Sequence, residues 1–312
     1  KIAVLGAGTM GPGIAQTFAI GGYDVTMWTR SESTREKALA SLKSSLNTFA
    51  EEGEIAADQV DEILSRINFK LTVAEAVEGA DFIMETIVEK KDAKEELYAQ
   101  IAELVGPEVI IASNTSAMNI FEIVPEKILP QQIICHWYAP PHVIPLVEVV
   151  KSEQAPQEYA DIAVTMLNNC GKTAVFMKKF IKGYIVNRLQ QCLNQEVFYL
   201  LDGGYCDAEA IDLAAKASFI PRACVLGLCK RMDFGGVDMT FNNFKNKSYA
   251  APQWENPPAT LQNLVDEGKL GIKSGEGFYS YEGVDMEALK AKRDKQLFEI
   301  FNVTKKFMAD PV

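Results

Sequence analysis

Ile2-Ala3-Val4-Leu5-Gly6-Ala7-Gly8-Thr9-Met10-Gly11 stands at the start of the sequence: an apolar run passes directly into three glycines at Gly-x-Gly-x-x-Gly spacing, and a helical stretch from Ile14 to Ile20 follows. In such a turn Gly6 permits the tight reversal, Gly8 lets the backbone approach a pyrophosphate, and Gly11 lets helix and strand pack closely. The diphosphate then rests on unpaired N–H groups at the positive end of the helix. The spacing alone is a weak signal. A second strand-like run, Asp24 to Trp28, at βαβ distance supplies the context that makes it a dinucleotide site.

The end of that second run bears on which dinucleotide binds. An acidic residue there accepts hydrogen bonds from the adenine ribose of NAD, whereas the 2′-phosphate of NADP calls for arginine and small hydroxyls. This sequence reads Trp28-Thr29-Arg30-Ser31. With no acid at that position and a guanidinium one residue beyond it, NADP(H) is preferred over NAD(H). Thr29, Arg30 and Ser31 join Gly6, Gly8, Thr9, Met10 and Gly11 as cofactor-binding candidates, together with Glu89, Lys94 and Asn114.

At 312 residues, 48% hydrophobic and 23% charged, the chain is long enough for two domains with a full core in each. Its net charge of −11 argues against nucleic acid or an anionic membrane as partner. No long apolar span or signal-peptide pattern is evident, so a cytoplasmic protein is expected. The six cysteines form no Cys-x-x-Cys pair and only two histidines are present; they read as reduced thiols, and no metal site is expected.

Further strand-like runs at Phe82–Glu85, Val109–Ala112, Ile133–His136, Leu146–Val150 and Thr173–Met177 alternate with helical stretches at Asp92–Val105 and Gln157–Asn169. That alternation predicts an α/β domain over residues 1–182, with an insertion from Ser33 to Arg66 long enough for two antiparallel helices around Gly53. From residue 183 to 312 the pattern is helical, over Tyr184–Leu201, Asp207–Lys216 and Arg222–Met232, with no clear strand before the Gly-Phe-Tyr-Ser-Tyr segment near the end. The apolar side chains between Tyr184 and Met232 exceed what a thin helical layer buries against one domain, which predicts a homodimer through this part.

His136 closes the run Ile133-Ile134-Cys135, where ligands sit in open α/β sheets, and Glu148 interrupts the apolar run Pro145 to Val150. A carboxylate buried there needs a partner. Pro140-Pro141 can turn the second run back beside the first, so that the carboxylate orients the imidazole and makes it more basic, as a general base requires. These residues alone also allow a solvent-facing Glu148 and an ordinary core histidine; the adjacent nucleotide site favours the pair.

Ala112-Ser113-Asn114-Thr115-Ser116, the spacing of His136 to Glu148, Ile185-Val186-Asn187-Arg188 and Gly271 to Tyr279, taken in order, resemble the L-3-hydroxyacyl-CoA dehydrogenase family over about residues 1–283. The resemblance implies a Rossmann-type domain followed by a helical substrate and dimerisation domain, with hydride transfer between a nicotinamide and the carbon bearing a 3-hydroxy group. It also implies that His136 is the base, Glu148 its orienting partner, and Ser116 and Asn187 the donors that hold the substrate oxygen. Where that family usually reads His-Phe-Phe-Asn-Pro, this chain has His136-Trp137-Tyr138-Ala139-Pro140, which removes a polar side chain near the base. Pro141 to Glu148 is instead similar to the branch containing L-gulonate 3-dehydrogenase and carnitine dehydrogenase.

The hairpin tip that meets CoA phosphates in acyl-CoA enzymes reads Phe49-Ala50-Glu51-Glu52-Gly53-Glu54 here, and its carboxylates would repel a CoA nucleotide. A small free 3-hydroxy or 3-oxo acid is therefore preferred over an acyl-CoA thioester, its carboxylate met by Arg188 or Lys182. The related dehydrogenases that use a lysine or another acid, and a non-enzymatic nucleotide-binding protein, are disfavoured by the set Ser116, His136, Glu148 and Asn187.

Overall fold

The computed structural model describes residues 1–247 and 251–309. The chain forms two compact units, Lys1–Ile185 and Val186–Val312. In the first, strand β1 (Ile2–Leu5) leads through the glycine turn into α1 (Gly11–Ile20), then β2 (Val25–Trp28), α2 (Glu32–Glu51), α3 (Val60–Ser65), β3 (Ile67–Lys70), α4 (Val73–Val77), β4 (Phe82–Glu85), α5 (Lys91–Leu104), β5 (Ile110–Ser113), β6 (Gln132–Trp137), β7 (Leu146–Lys151), α6 (Gln157–Asn169) and β8 (Thr173–Met177).

The eight strands form one sheet in the order β3-β2-β1-β4-β5-β6-β7-β8. Pairing is parallel from β3 through β6 and antiparallel between β6 and β7, after which β8 runs parallel to β7. Chain order reverses between β1 and β4, the crevice where open α/β sheets take their ligands. Strands β1, β4 and β5 are buried at every position because both faces of the sheet are covered, which is why they read as unbroken apolar runs. One core cluster joins Leu5, Ile83, Tyr98, Ile101 and Ile111 beneath α4 and α5. Each fully buried aliphatic side chain of this kind contributes about 1.5–3 kcal/mol. Helix α1 is buried from Gly11 to Ala19, so its apolar character runs around the helix and not along one stripe.

The insertion after β2 holds a long helix, α2, that stops at Glu51; Gly53, at φ +72°, turns the chain toward the short α3. Strand β3 and helix α4, which no apolar pattern in the sequence marks, follow it. Ile67-Asn68-Phe69-Lys70 carries only two apolar residues, and as an edge strand it gains its place from pairing with β2.

The second unit is helical: α7 (Val186–Asp202), α8 (Ala208–Ala214), α9 (Ile220–Leu226), α10 (Leu228–Gly235), α11 (Val237–Lys245), α12 (Ala259–Asp266) and α13 (Met286–Ala309). The helical stretch expected over Arg222–Met232 is split at Gly227, whose φ of +71° no helix interior accommodates. The Gly-Phe-Tyr-Ser-Tyr segment forms no strand; Ser280 makes an isolated bridge to Glu276, which also bridges to Gly271. Among the described residues no helix is long and apolar enough to cross a membrane. All six cysteines are free thiols.

Candidate active site

The glycine turn divides its labour by geometry. Gly6 sits at φ +122°, and a Cβ there would lie 2.9 Å from the carbonyl and hydroxyl oxygens of Thr86 at the end of β4. A Cβ on Gly11 would lie 1.9 Å from the Gly6 carbonyl oxygen, so the helix could not begin so close to the turn with any other residue. A Cβ on Gly8 would meet nothing within 4 Å. The protein leaves that side of the loop open, as a diphosphate resting on it requires. Met10 precedes α1 without a side-chain cap and the first turn holds no acid, so the N–H groups of that turn are not masked by a carboxylate.

Beside the loop lies a cavity of about 230 Å³ lined by Gly6, Ala7, Gly8, Trp28, Arg30, Thr34, Thr86, Ile87 and Val88. Arg30 is the one charged residue of that lining, and its guanidinium carbon lies 6.0 Å from the Trp28 ring centroid. Thr29 and Ser31 do not line it. Thr29 is buried and its hydroxyl donates to the Ser31 carbonyl at 3.3 Å, while the Ser31 hydroxyl caps α2 by accepting from the Thr34 N–H at 3.2 Å.

Glu89, Lys94 and Asn114 are drawn into a polar network behind the crevice. Lys94 is wholly buried on α5, its Nζ 2.7 and 2.6 Å from the two oxygens of the equally buried Glu85 and 3.2 Å from Glu89 Oε2. Ser113 at 2.6 Å, Tyr98 at 3.1 Å and the Ile87 N–H at 2.8 Å complete the donors to Glu85. Burial and the adjacent Glu85 push the Tyr98 phenol well above its ordinary value. Glu89 accepts from the Thr115 hydroxyl and from the Ser116 N–H at 2.9 Å. Burial raises its carboxyl, but these hydrogen bonds and the Lys94 charge outweigh burial and hold it below the usual range. Asn114 accepts from the Trp137 N–H at 2.8 Å and so ties the end of β5 to the end of β6.

His136 and Glu148 stand directly opposite in the antiparallel register of β6 and β7, with Nδ1 3.0 Å from Glu148 Oε2. Both are buried. Nδ1 faces the carboxylate, which leaves Nε2 as the nitrogen able to exchange a proton. The Pro140-Pro141 segment closes this pairing, helped by Lys172, whose ammonium donates to the carbonyls of Pro141, His142 and Ile144.

Two aromatic residues outside the sequence-derived set hold the His136 imidazole. Tyr184 stacks on the imidazole, ring centroids 4.5 Å apart at 26°, and its hydroxyl donates to the Thr115 carbonyl at 2.8 Å. Tyr138 meets the imidazole edge-on at 4.6 Å and donates to Glu148 Oε2 at 2.6 Å. Ile185 N–H donates to Glu148 Oε1 at 2.9 Å. Exposed Ser116 follows Thr115, whose carbonyl accepts the hydroxyl of the Tyr184 that stacks on the imidazole. Asn187 lies on α7 in the second unit. No sequence pattern marks an aromatic ring as a clamp; the left-handed backbone of Tyr184, φ +50°, is a constraint only the folded chain displays.

The chain is similar to known proteins over most of its length. The model for the 3-hydroxyacyl-CoA dehydrogenase NAD binding domain matches residues 1–180, and that for the C-terminal domain of 3-hydroxyacyl-CoA dehydrogenase matches residues 183–281. The chain is 31% identical over 304 residues to the 5-formyl-3-hydroxy-2-methylpyridine 4-carboxylate 5-dehydrogenase of Mesorhizobium japonicum, covering 96% of each. It is 35% identical to a probable 3-hydroxybutyryl-CoA dehydrogenase of Bacillus subtilis, over 90% of this chain and 97% of that relative. A crystal structure of a 5-formyl-3-hydroxy-2-methylpyridine 4-carboxylic acid 5-dehydrogenase, described as an NAD+-dependent dismutase, superposes with a TM-score of 0.85 at 27% identity, covering 97% of this chain and 98% of that one.

Fold and site define a nicotinamide-dependent dehydrogenase. The chain belongs to the 3-hydroxyacyl-CoA dehydrogenase family, with an NAD-binding first domain.

Proposed function

We propose that this dehydrogenase interconverts the 3-hydroxy and 3-oxo groups of a small acid that is not a CoA thioester. The observation that carries the chemistry is the buried His136–Glu148 pair in the sheet that bears the dinucleotide loop. In the oxidising direction His136 Nε2 takes the hydroxyl proton, Glu148 stabilises the resulting imidazolium, and Ser116 and Asn187 hold the substrate oxygen. A nicotinamide held at the glycine loop would supply the hydride acceptor for the carbon that bears the hydroxyl group, so that loss of one C–H and one O–H bond yields the carbonyl. Gly6, Gly8, Thr9, Met10 and Gly11 would hold the diphosphate, and Arg30 the adenosine side.

For the cofactor we infer a preference for NADP(H), because Arg30 lines the adjoining cavity and no acid does. For the substrate, the support is the acidic hairpin tip Glu51, Glu52 and Glu54. The Mesorhizobium relative adds to it, because it is named for a pyridine carboxylate and matches 96% of this chain, helix α13 lying beyond the residues matched by the family models. The second reading, a 3-hydroxyacyl-CoA substrate, is favoured by the higher identity to the Bacillus relative. Turnover of acetoacetyl-CoA against a free 3-oxo acid and a hydroxylated aromatic aldehyde carboxylate separates them. A kcat/KM for acetoacetyl-CoA of about 10⁵ M⁻¹s⁻¹ or more, ordinary for an enzyme on its own substrate, would overturn the free-acid reading.

A cytoplasmic homodimer is the assembly we infer. In the second unit Phe298 is the one described residue that is buried and apolar, while Phe234, Val237, Phe241 and Phe244 on α10 and α11 are exposed. A second copy of the chain is the commonest cover for such a face. A monomeric mass by light scattering at micromolar concentration would contradict it.

A further inference from the structure

The carboxylate that orients His136 is shared. Glu148 is fully buried, so water does not compete for its oxygens. Oε1 accepts from the Ile185 N–H, and Oε2 faces His136 Nδ1 at 3.0 Å and accepts the Tyr138 hydroxyl at 2.6 Å. Loss of a polar side chain at Ala139 is therefore accompanied, one residue earlier, by a phenol that reaches the carboxylate itself.

We propose that Tyr138 is a positioning residue that acts through Glu148 to set the basicity of His136. A carboxylate oxygen that already accepts a short hydrogen bond presents less negative potential to a second donor, and the imidazolium gains correspondingly less from it. The phenol thus keeps His136 a weaker base than an unshared His–Glu pair would make it. That favours release of the proton after hydride transfer. The ring cannot answer by swinging away from Glu148, because Tyr184 stacks on one side of it and the Tyr138 ring closes another. The titratable groups described around His136 are Glu148 from β7, Tyr138 beyond β6 and Tyr184 after β8. Glu89 stands farther off, bonded to Thr115, whose carbonyl takes the Tyr184 hydroxyl.

The proposal rests on His136 being the base, and the test separates the two. Tyr138→Phe keeps the ring and removes only the hydroxyl. The chain has two histidines, so imidazole NMR resonances of the enzyme saturated with dinucleotide follow His136 directly, with His142→Gln supplying the assignment. In Tyr138→Phe the His136 titration is expected to move up by about half a pH unit or more, and the acid limb of kcat/KM for alcohol oxidation to move with it. An unchanged His136 titration would overturn the proposal, whatever happens to the rate, because a purely space-filling Tyr138 predicts that result. A raised titration with a stationary acid limb would uphold the coupling and remove His136 from the role of base.

Discussion

Glu148 stands opposite His136 in the β6–β7 register, and its Oε2 lies 3.0 Å from Nδ1 of that histidine. Because neighbouring cross-strand positions on one face are two residues apart, a slip of one residue would send the carboxylate to the other face of the sheet. The pair therefore exists only while the turn from Tyr138 to Pro145 keeps its length. It also ties the chemistry to the same sheet whose opposite half carries the dinucleotide loop.

The glycine loop makes a prediction that separates binding from folding. Gly8→Ala adds a methyl group to open space and should leave the melting temperature close to that of the parent while weakening nucleotide binding about tenfold or more. Gly11→Ala drives a methyl group into the Gly6 carbonyl and should lower the melting temperature. Thermal melts and nucleotide titrations read both. Equal affinity for Gly8→Ala and the parent would mean that the diphosphate does not rest there.

Arg30 should decide cofactor choice. Arg30→Ala is expected to raise the KM for NADPH about tenfold or more and to change that for NADH little, because a charge-assisted bond to the 2′-phosphate is available only to the first. Steady-state kinetics with both nucleotides checks it, and parallel changes would make Arg30 a bystander. The neighbouring Thr29 offers no such handle, since an acid placed there would be buried.

Lys94 and Glu85 form a buried ion pair whose halves are not independently dispensable. Lys94→Met should destabilise the protein by about 3 kcal/mol or more in denaturant unfolding, because Glu85 is left as an unpaired buried carboxylate. Adding Glu85→Gln should restore a large part of that loss, since the amide still accepts from Ser113 and Tyr98. Additive losses in the double variant would show that the pair is not the source of the effect.

Glu89 supplies the pH dependence. A carboxyl held below its ordinary value, about 4.3, contributes stability that is complete above that value and lost as the pH falls through its own lower one. Glu89→Gln should thus cost stability near neutral pH and progressively less on acidification below about pH 4. A pH-independent difference between parent and variant would contradict the network around Thr115 and Ser116.

Much of the architecture was legible because β1, β4 and β5 are buried on both faces, and burial of that kind leaves unbroken apolar runs between helical periods. The His136–Glu148 pair was legible for a related reason: a carboxylate inside an apolar strand needs a partner, and a proline turn of suitable length joins the two strands. β3 was not, since Ile67 and Phe69 alone make no recognisable run and the strand is specified by β2. Nor were the clamps. Tyr138 and Tyr184 are ordinary aromatic residues in sequence and become specific only when pairing brings their hydroxyls to Glu148 and Thr115.

The central claim, that His136 is the proton acceptor of a nicotinamide-dependent dehydrogenase, is tested most directly by single-turnover hydride transfer in His136→Ala, with nucleotide affinity measured on the same preparation. The rate should fall at least about 100-fold while the nucleotide dissociation constant stays within about twofold. A His136→Ala enzyme that transfers hydride at close to the parent rate would contradict it.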